Sequence, residues 1–188
     1  MKMQVAHASL PKLGEYANGD RPFHRQDAAD RHLLAVIDGL GHGPEAEHAT
    51  LAGLKYLNEV PLDTPFEQIM LGVHESMRGT RGAAGTVCIV AGTDIVACAV
   101  GNVELRSVQI DVPLISSAGI LGVRVQKFRV CRTKIQMACR LVLFSDGLTN
   151  PTGISELQSM PAQLACDRLL SRHRRTYDDA TVLIADLE

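Results

Sequence analysis

Four acidic sites in the sequence each stand at the end of a predicted strand. They are Asp20, Asp38, Asp146 and the adjacent pair Asp178 and Asp179. No histidine or cysteine is spaced to join them as a soft ligand, so a site formed by their convergence would offer only oxygen donors. Such carboxylates repel each other unless a hard cation such as Mg²⁺ or Mn²⁺ neutralises them, and enough are present for two ions. Two ions close together can clamp a phosphoryl group, which makes phosphate ester hydrolysis the natural reaction.

Asp38 has the most informative surroundings of these residues. It follows a continuous apolar run over residues 33–37, typical of a buried strand, and Pro44 marks the start of a helix. The glycine-rich turn between them allows positive φ and a close approach of the backbone to a ligand. Two interpretations of this stretch stay open. Asp38 could bind an ion or a phosphate group, or it could merely cap the helix.

Length and composition limit the classes of protein that fit. The 188 residues suffice for one domain with a substantial core, and we expect a single domain over residues 1–188. A net charge of -2 gives no basic field for nucleic acid, and no apolar run is long enough to span a bilayer. The N-terminus lacks an apolar core of signal-peptide length, so we expect a cytoplasmic protein that binds neither nucleic acid nor membrane.

The five cysteines form no C-x-x-C pair and lie mostly in apolar, strand-like runs. This pattern favours small buried hydrophobic residues over disulfide partners or zinc ligands.

Apolar periodicity predicts three helical regions. The first covers residues 44–58, and the second begins at a capping box over residues 64–67. The third is predicted over residues 155–174. His74, in the second helix, is expected to be exposed and is not predicted to bind metal, because no partner stands at a matching spacing.

Strand patterns fill much of the remaining chain. Residues 3–9 and 13–18 are predicted to form a hairpin, and three later strands are predicted to form an antiparallel meander. The first two strands of the meander are apolar on both sides, which predicts helices on one face of the sheet and a second sheet on the other. The meander covers 86–91, 95–100 and 103–108, and further strands are predicted at 125–135, 139–144 and 182–185.

Three motifs, in this order and with these separations, resemble the PPM (type 2C) metal-dependent serine/threonine phosphatases. They are Asp-Gly-Leu-Gly-His-Gly at 38–43, Ser-Asp-Gly-Leu at 145–148 and Asp-Asp-Ala-Thr at 178–181. Residues 19–20, 101–105 and 118–122 are similar to further motifs of the family, so the likeness spans nearly the whole chain. The match favours the small bacterial branch that contains SpoIIE and RsbX. The short chain, without a sensor or coiled-coil segment, most resembles the stand-alone stressosome phosphatases of that branch.

The resemblance implies an α+β fold, a four-layer αββα sandwich in which two packed antiparallel sheets are flanked by helices. It also implies two Mn²⁺ or Mg²⁺ ions and a hydroxide between them that attacks phosphorus, without a phosphoenzyme. Asp38 would bridge both ions and the Gly39 carbonyl would help to hold one.

Three further acidic positions complete the metal site that the resemblance implies. Asp146 and Asp178 would bind the other ion, and Asp20 would act directly or through water. Asp179, counted with the metal site, takes the neighbouring position, where many relatives carry Asn.

The chain departs from the family pattern at several positions. Asn102 and Asn150 stand where many members carry Asp, so a third, weaker metal site is doubtful. The histidine that follows Asp-Gly in many eukaryotic members is Leu40 here, and His42 lies two positions further on. His42 could donate a proton to the leaving oxygen as a catalytic residue, or it could line the mouth of the site.

The phosphate-binding arginine of eukaryotic relatives has no clear match in this chain. Arg21 and Arg25 are candidates by position alone.

The resemblance implies a protein serine/threonine phosphatase, expected to be a monomer. Its substrates would be phosphorylated STAS-domain proteins of a bacterial stressosome, and it would reset that stress-signalling switch. One alternative is a same-branch phosphatase that acts on an anti-sigma-factor antagonist. Another is a non-catalytic binding module with the PPM fold. The retained acidic residues argue against the module, because a chain released from catalysis has no reason to keep mutually repulsive carboxylates.

Overall fold

The computed structural model describes residues 2–149 and 157–188. Three helices lie in these residues: α1 (Pro44–Glu59), α2 (Phe66–Ser76) and α3 (Ala162–His173). The strands there are β1 (Met3–Leu10), β2 (Asp20–Gln26), β3 (Arg31–Gly39), β4 (Ala83–Ala91), β5 (Asp94–Val100), β6 (Glu104–Val108), β7 (Gly119–Ile120), β8 (Arg124–Val125), β9 (Cys131–Lys134), β10 (Cys139–Phe144) and β11 (Ala180–Leu187).

Two antiparallel sheets pack face to face between layers of helix. The four-stranded sheet has the order β1-β11-β10-β6, and the five-stranded sheet has the order β2-β3-β4-β5-β9. Helices α1 and α2 cover the outer face of the five-stranded sheet, and α3 covers the outer face of the other. The predicted αββα sandwich of α+β class is therefore confirmed.

The central strands are buried on both faces, which explains their continuous apolar sequences. In β3, Leu33 and Ile37 face α1 and α2, whereas Leu34 and Val36 face the four-stranded sheet. Strand β10 repeats the arrangement. Leu141 and Leu143 face the five-stranded sheet, while Val142 and Phe144 pack against α3. Because side chains alternate across a strand, each of these strands joins two hydrophobic layers.

Two predicted strand pairings are wrong. Residues 13–18 form no strand with β1, which instead pairs with β11 at the other end of the chain. The predicted meander breaks after its second strand, because β6 pairs with β10 in the other sheet. Gly101, with φ of 80°, turns the chain where it leaves β5. In both cases a partner distant in sequence replaces the neighbour that local patterns favour.

Other predictions differ in extent. Of the strand predicted at 125–135, only Val125 in β8 and the four residues of β9 are observed as strand. Helix α2 begins after Pro65 without a side-chain cap. The third helical region, predicted over 155–174, is shortened to α3, because residues 157–161 lie outside that helix. The part of the prediction at 155–156 lies outside the described residues. No helix in the described residues is long and apolar enough to cross a membrane.

His74 is buried, contrary to expectation. Its side chain is turned inward, and its Nδ1 accepts a hydrogen bond from the Gly122 N–H at 3.1 Å. Four of the five cysteines are buried, as predicted, and all five are free thiols.

The layer between the sheets should dominate stability. Leu143 is fully buried there, so Leu143→Ala should lower the free energy of unfolding by about 2–5 kcal/mol through lost contacts and the cavity left behind. Leu71→Ala, on an exposed position of α2, is the matched control and should change it by less than about 1 kcal/mol. Urea unfolding measures both, and equal effects would contradict this account of the core.

Candidate metal and active site

The acidic residues lie at one end of the sandwich, where strands of both sheets begin or end. Asp20 starts β2 and pairs in register with Asp38 near the end of β3. From the other sheet, Asp146 follows β10 and Asp178 precedes β11. Asp38 shares its strand face with Leu34 and Val36, so it points into the space between the sheets. The structure thus brings together all four predicted acidic sites.

The electrostatics of these carboxyl groups show how close they are. Burial, followed by the charges of Asp20 and Asp146, raises the pKa of Asp38 to about 10. Burial also raises the pKa of Asp20 to about 7, although a hydrogen bond from Ser145 acts against the rise. Burial and the charge of Asp146 raise the pKa of Asp178. A hydrogen bond between Asp38 and Asp20 raises the pKa of Asp38 further and lowers that of Asp20, so without a cation the site favours bound protons.

The donor chemistry of this site fits a divalent cation of the Mg²⁺ or Mn²⁺ type. All of its side-chain donors are carboxylate oxygens, the ligands that such cations prefer. Within residues 2–149 and 157–188, no three histidine, cysteine or acidic side chains are already arranged around one point as ligands. Asp20 and Asp38 bond to each other instead, and Asp146 accepts a hydrogen bond from Asn102 at 2.7 Å. Ion binding would replace these bonds.

Gly39 is fixed by the approach of helix α1. A Cβ at this position would collide with the carbonyl oxygen of Ala46. The Gly39 N–H donates a hydrogen bond to the Gly19 carbonyl at 3.0 Å. Thr50 of α1 donates to the same Gly19 carbonyl at 2.5 Å. The backbone on both sides of the Asp20 and Asp38 pair is therefore held by one helix.

A buried polar network supports the cluster from behind. Ser145 donates a hydrogen bond to Asp20, and this bond joins the two sheets. Ser145 also accepts a hydrogen bond from the Thr181 N–H at 3.0 Å, within its own sheet. Ser9 bonds to the Thr181 hydroxyl at 2.5 Å and accepts a hydrogen bond from Asn18 at 2.8 Å. Sequence reasoning missed these roles. Ser145 stood within a motif, but nothing in the sequence marked Ser9 or Asn18.

Asp178 and Asp179 have different surroundings. Asp179 is 2% exposed, and its two carboxylate oxygens accept hydrogen bonds from the N–H groups of Lys12 and Gly19 at 2.7 and 2.9 Å. It thereby attaches the loop of residues 11–19 to the start of β11. These contacts favour a structural role for Asp179, whereas Asp178 interacts with the charge of Asp146.

His42 lies at the mouth of the site, in the turn between β3 and α1. Its Nδ1 is 2.6 Å from the Glu15 carboxylate, and its Nε2 is 2.8 Å from the Lys12 ammonium nitrogen. The ring is close enough to Asp178 to oppose the rise in the pKa of that carboxyl.

The two arginines suggested by position are engaged by helix α1. Arg21 pairs with Glu47, and Arg25 donates to the carbonyl oxygens of Leu57 and Val60 at the end of that helix. Asn150, the second asparagine at a doubtful third metal site, lies outside the described residues.

Solved structures share this fold over nearly the whole chain. One of them is a chain from a structure of the bacterial stressosome, which is described as a modular system adapted to control secondary messenger signalling. It is 26% identical, with a TM-score of 0.89 over 98% of this chain and 100% of the other. RsbX in complex with magnesium is 22% identical, with a TM-score of 0.83 and coverage of 99% and 96%. The catalytic domain of the serine/threonine phosphatase PstP with two manganese ions is 20% identical, with a TM-score of 0.74 and coverage of 98% and 97%. No protein-family model and no curated protein sequence matches this chain.

The chain therefore has the fold of solved PPM (type 2C) serine/threonine phosphatases, among them PstP and the PP2C domain of SpoIIE. The structure is similar in fold to RsbX and to the phosphatase domain of SpoIIE, the two proteins of the branch that the motifs resemble.

The acidic cluster should make metal-free stability fall as pH rises. An ordinary aspartate pKa is 3.8, whereas Asp20 and Asp38 titrate near 7 and 10 in the folded chain. At a pH between 3.8 and the raised pKa of each carboxyl, the folded state holds a proton that the unfolded state has lost. Stability should therefore decrease from about pH 4 upward, by at most about 1.4 kcal/mol per pH unit for each such carboxyl.

Urea unfolding in EDTA at pH 5 and pH 8 measures this dependence. Asp38→Asn should flatten it, and Mn²⁺ should restore stability to the parent chain at pH 8. A parent chain that is equally stable at both pH values in EDTA would contradict the predicted titration.

One experiment should distinguish the roles of the adjacent residues Asp178 and Asp179. Asp179→Ala leaves two backbone N–H groups without their acceptor and should destabilise the fold by about 1–3 kcal/mol for each group. Asp178→Ala should leave metal-free stability unchanged or higher, because it removes a repelling charge, but should weaken Mn²⁺ binding. Thermal unfolding in EDTA and calorimetric titration with Mn²⁺ provide the two readouts, and the reverse pattern would make Asp179 the ligand.

Proposed function

We propose that this chain is a metal-dependent protein serine/threonine phosphatase, a single catalytic domain that hydrolyses phosphoserine or phosphothreonine. The observation that carries the proposal is the convergence of four acidic sites, drawn from both sheets, at one end of the sandwich. Similarity in fold to serine/threonine phosphatases, among them structures with magnesium and with two manganese ions, supports it.

We assign two Mn²⁺ or Mg²⁺ ions to this end of the molecule. Asp38 and the Gly39 carbonyl would hold them together with Asp146 and Asp178, and Asp20 would act directly or through water. When bound, the ions would place positive charge beside the phosphoryl oxygens and lower the pKa of a bound water.

The protein's own contribution is the placement of the carboxylates. The charges of Asp20 and Asp146 both raise the pKa of Asp38, which supports a common space for the three groups. The hydrogen bond from Ser145 orients Asp20 from the side of the other sheet. This prior arrangement avoids the cost of ordering the groups during reaction.

The proposed substrates are phosphorylated STAS-domain proteins of a bacterial stressosome, on which the enzyme would act as a cytoplasmic monomer to reset a stress signal. The similarity to RsbX and to a protein of the bacterial stressosome supports this choice. A phosphatase of the same branch that acts on an anti-sigma-factor antagonist is the alternative substrate assignment.

Hydrolysis of an aryl phosphate tests the activity. The purified chain should turn over p-nitrophenyl phosphate with Mn²⁺ or Mg²⁺ and not with EDTA. Asp38→Asn and Asp146→Asn should each lower kcat/KM by about 100-fold or more, because each removes a ligand from the ions that stabilise the transition state. Asp63→Asn, at an exposed position outside the acidic cluster, is the matched control and should retain full activity.

Folding of each variant is checked by thermal unfolding. An absence of turnover with any divalent metal, repeated on a phosphorylated STAS-domain protein, would reject the enzyme and favour the binding module. Turnover of a phosphorylated anti-sigma-factor antagonist at a much higher kcat/KM than a stressosome STAS protein would reject the stressosome assignment alone.

A further inference from the structure

The large apolar side chains that are most exposed to solvent stand around the acidic site. Within residues 2–149 and 157–188, the four highest exposed fractions in this group belong to Leu13, Tyr16, Ile115 and Tyr177. We call these four residues the apolar rim. We propose that the apolar rim docks a folded phosphoprotein, whose phosphorylated side chain then reaches the acidic cluster. This inference rests on the proposed phosphatase function and adds to it the surface that selects the substrate.

One side of the apolar rim borders Asp178. Leu13 and Tyr16 lie in the loop after β1, and Tyr16 is fully exposed. Tyr177 directly precedes Asp178. The Leu13 N–H donates a hydrogen bond to the Thr176 carbonyl at 3.0 Å, so the loop is joined to the segment before β11. This hydrogen bond brings the three apolar residues to the edge of the cluster where Asp178 lies.

The other side of the apolar rim borders Asp146. Ile115 is followed by Ser116, whose hydroxyl donates to the Gly101 carbonyl at 2.6 Å. The next residue in that turn, Asn102, donates to Asp146. Because β1 and β6 are opposite edges of the four-stranded sheet, the loop after β1 and the turn before β6 lie on opposite sides of the cluster. The apolar rim therefore borders the acidic site on two opposite sides.

The depth of the carboxyl groups requires contact between the apolar rim and a protein substrate. Asp20 is buried, and Asp38, Asp146 and Asp178 are half-buried. A phosphoserine or phosphothreonine side chain is short, so its phosphate reaches these groups only when the surface that carries it lies against the surrounding loops. Large apolar side chains gain free energy when such a surface removes them from water, and tyrosines are frequent anchors of protein interfaces.

The distribution of exposed apolar residues also favours an interaction surface. Single exposed apolar side chains are normal on a protein, but a group of them bordered by polar residues marks a site of association. Here the four most exposed members of the class all lie at the end of the sandwich that carries the carboxylates. Leu71 and Leu164, on the outer helices, are less exposed than any of the four.

Charge distinguishes a phosphoprotein from a second copy of this chain as the partner. Two copies joined through the apolar rim would bring two identical acidic clusters face to face, and like charges across an interface oppose association. A phosphorylated surface meets the reverse situation, because the divalent ions assigned to the cluster attract its phosphate. The apolar contacts and the charge at the centre therefore fit the same partner.

The backbone beneath the apolar rim is fixed before any partner arrives. The Lys12 N–H donates to the Asp179 carboxylate at 2.7 Å, and the Arg175 N–H donates to the Gly147 carbonyl at 2.7 Å. These bonds hold the segments that carry Leu13 and Tyr177. A surface that is already ordered loses less conformational entropy on binding, which strengthens association.

The test compares three substrates of the Mn²⁺-loaded enzyme, namely a phosphorylated STAS-domain protein, a short phosphopeptide with the same phosphorylated residue, and p-nitrophenyl phosphate. The parent should have a kcat/KM about tenfold higher or more for the folded protein than for the peptide. Tyr16→Ser and Tyr177→Ser should each raise KM for the folded protein about tenfold, the order expected for loss of one interface anchor. Turnover of p-nitrophenyl phosphate should change less than about twofold, because the carboxylates are retained.

Other variants serve as controls. Tyr16→Phe keeps the aromatic ring and should retain the parent's KM for the folded protein. Leu71→Ser on α2 and Leu164→Ser on α3 remove exposed apolar side chains from the outer helices and should leave all three substrates unaffected. Calorimetric Mn²⁺ affinity should be equal in all variants, which excludes an indirect effect of Tyr177→Ser on Asp178.

Two kinetic results would overturn the inference and leave the phosphatase proposal intact. One is a parent kcat/KM for the folded protein that is no higher than for the peptide. The other is an unchanged KM for the folded protein in both tyrosine variants. A parent dimer that Tyr16→Ser converts to a monomer in sedimentation equilibrium would assign the apolar rim to self-association. Binding to phosphatidylcholine vesicles that Tyr16→Ser abolishes would assign it to a membrane, and either result would also overturn the inference.

Should the parent chain lack metal-dependent turnover of every substrate, the phosphatase proposal fails, and binding then decides the role of the apolar rim. Calorimetric titration of the Mn²⁺-loaded chain with the phosphorylated STAS-domain protein provides this readout. Weaker binding by Tyr16→Ser than by Leu71→Ser would support the docking surface, and equal or undetectable binding would reject it. If Tyr177→Ser does not fold, Tyr16→Ser and Leu13→Ser give the same decision.

Discussion

Mutual repulsion between buried and half-buried carboxylates is the constraint on which this structure depends. Asp20, Asp38, Asp146 and Asp178 face one another in a space from which water is partly excluded, and none of them would adopt this position for the sake of stability. The surrounding fold must supply the free energy that holds them together. The large apolar layers on both sides of each central strand are its source.

The division of the site between two sheets gives the inter-sheet core a second role. One sheet carries Asp20 and Asp38 and the other carries Asp146 and Asp178, so the distances between the pairs depend on how the sheets pack. The hydrogen bond between Ser145 and Asp20 crosses this boundary at the site itself. Packing thus determines the geometry of the site as well as the stability of the chain.

Much of this arrangement could be predicted from the sequence because its signals are local. The apolar run before Asp38 and the glycine-rich turn after it predicted the strand, the turn and helix α1, and the motif order predicted the layered fold. Pairing between distant segments could not be predicted in the same way. Strand β1 has its partner at the opposite end of the chain, and β6 changes sheets, because burial of whole faces outweighs the preference for neighbouring strands.

Roles of single residues were the least predictable part. Asp178 and Asp179 are adjacent and chemically identical, and only the contacts of Asp179 with two backbone N–H groups distinguish them. His74 appeared to be a surface residue of an amphipathic helix, yet a loop of residues around Gly122 covers it and supplies its hydrogen-bond donor. Such assignments depend on atoms that approach from remote parts of the chain.

The absence of a side chain at Gly39 has a consequence for how this protein could change over time. An acidic residue of the cluster can be replaced by an amide with little disturbance of shape, so catalysis could be lost in one step while the fold survives. Position 39 allows no such step, because any Cβ would meet the Ala46 carbonyl and push helix α1 away from the sheet. A descendant that had abandoned the chemistry would still need this glycine. Among relatives of this chain, the aspartates should therefore be present only where catalysis is retained, whereas the glycine should be present wherever the fold is retained.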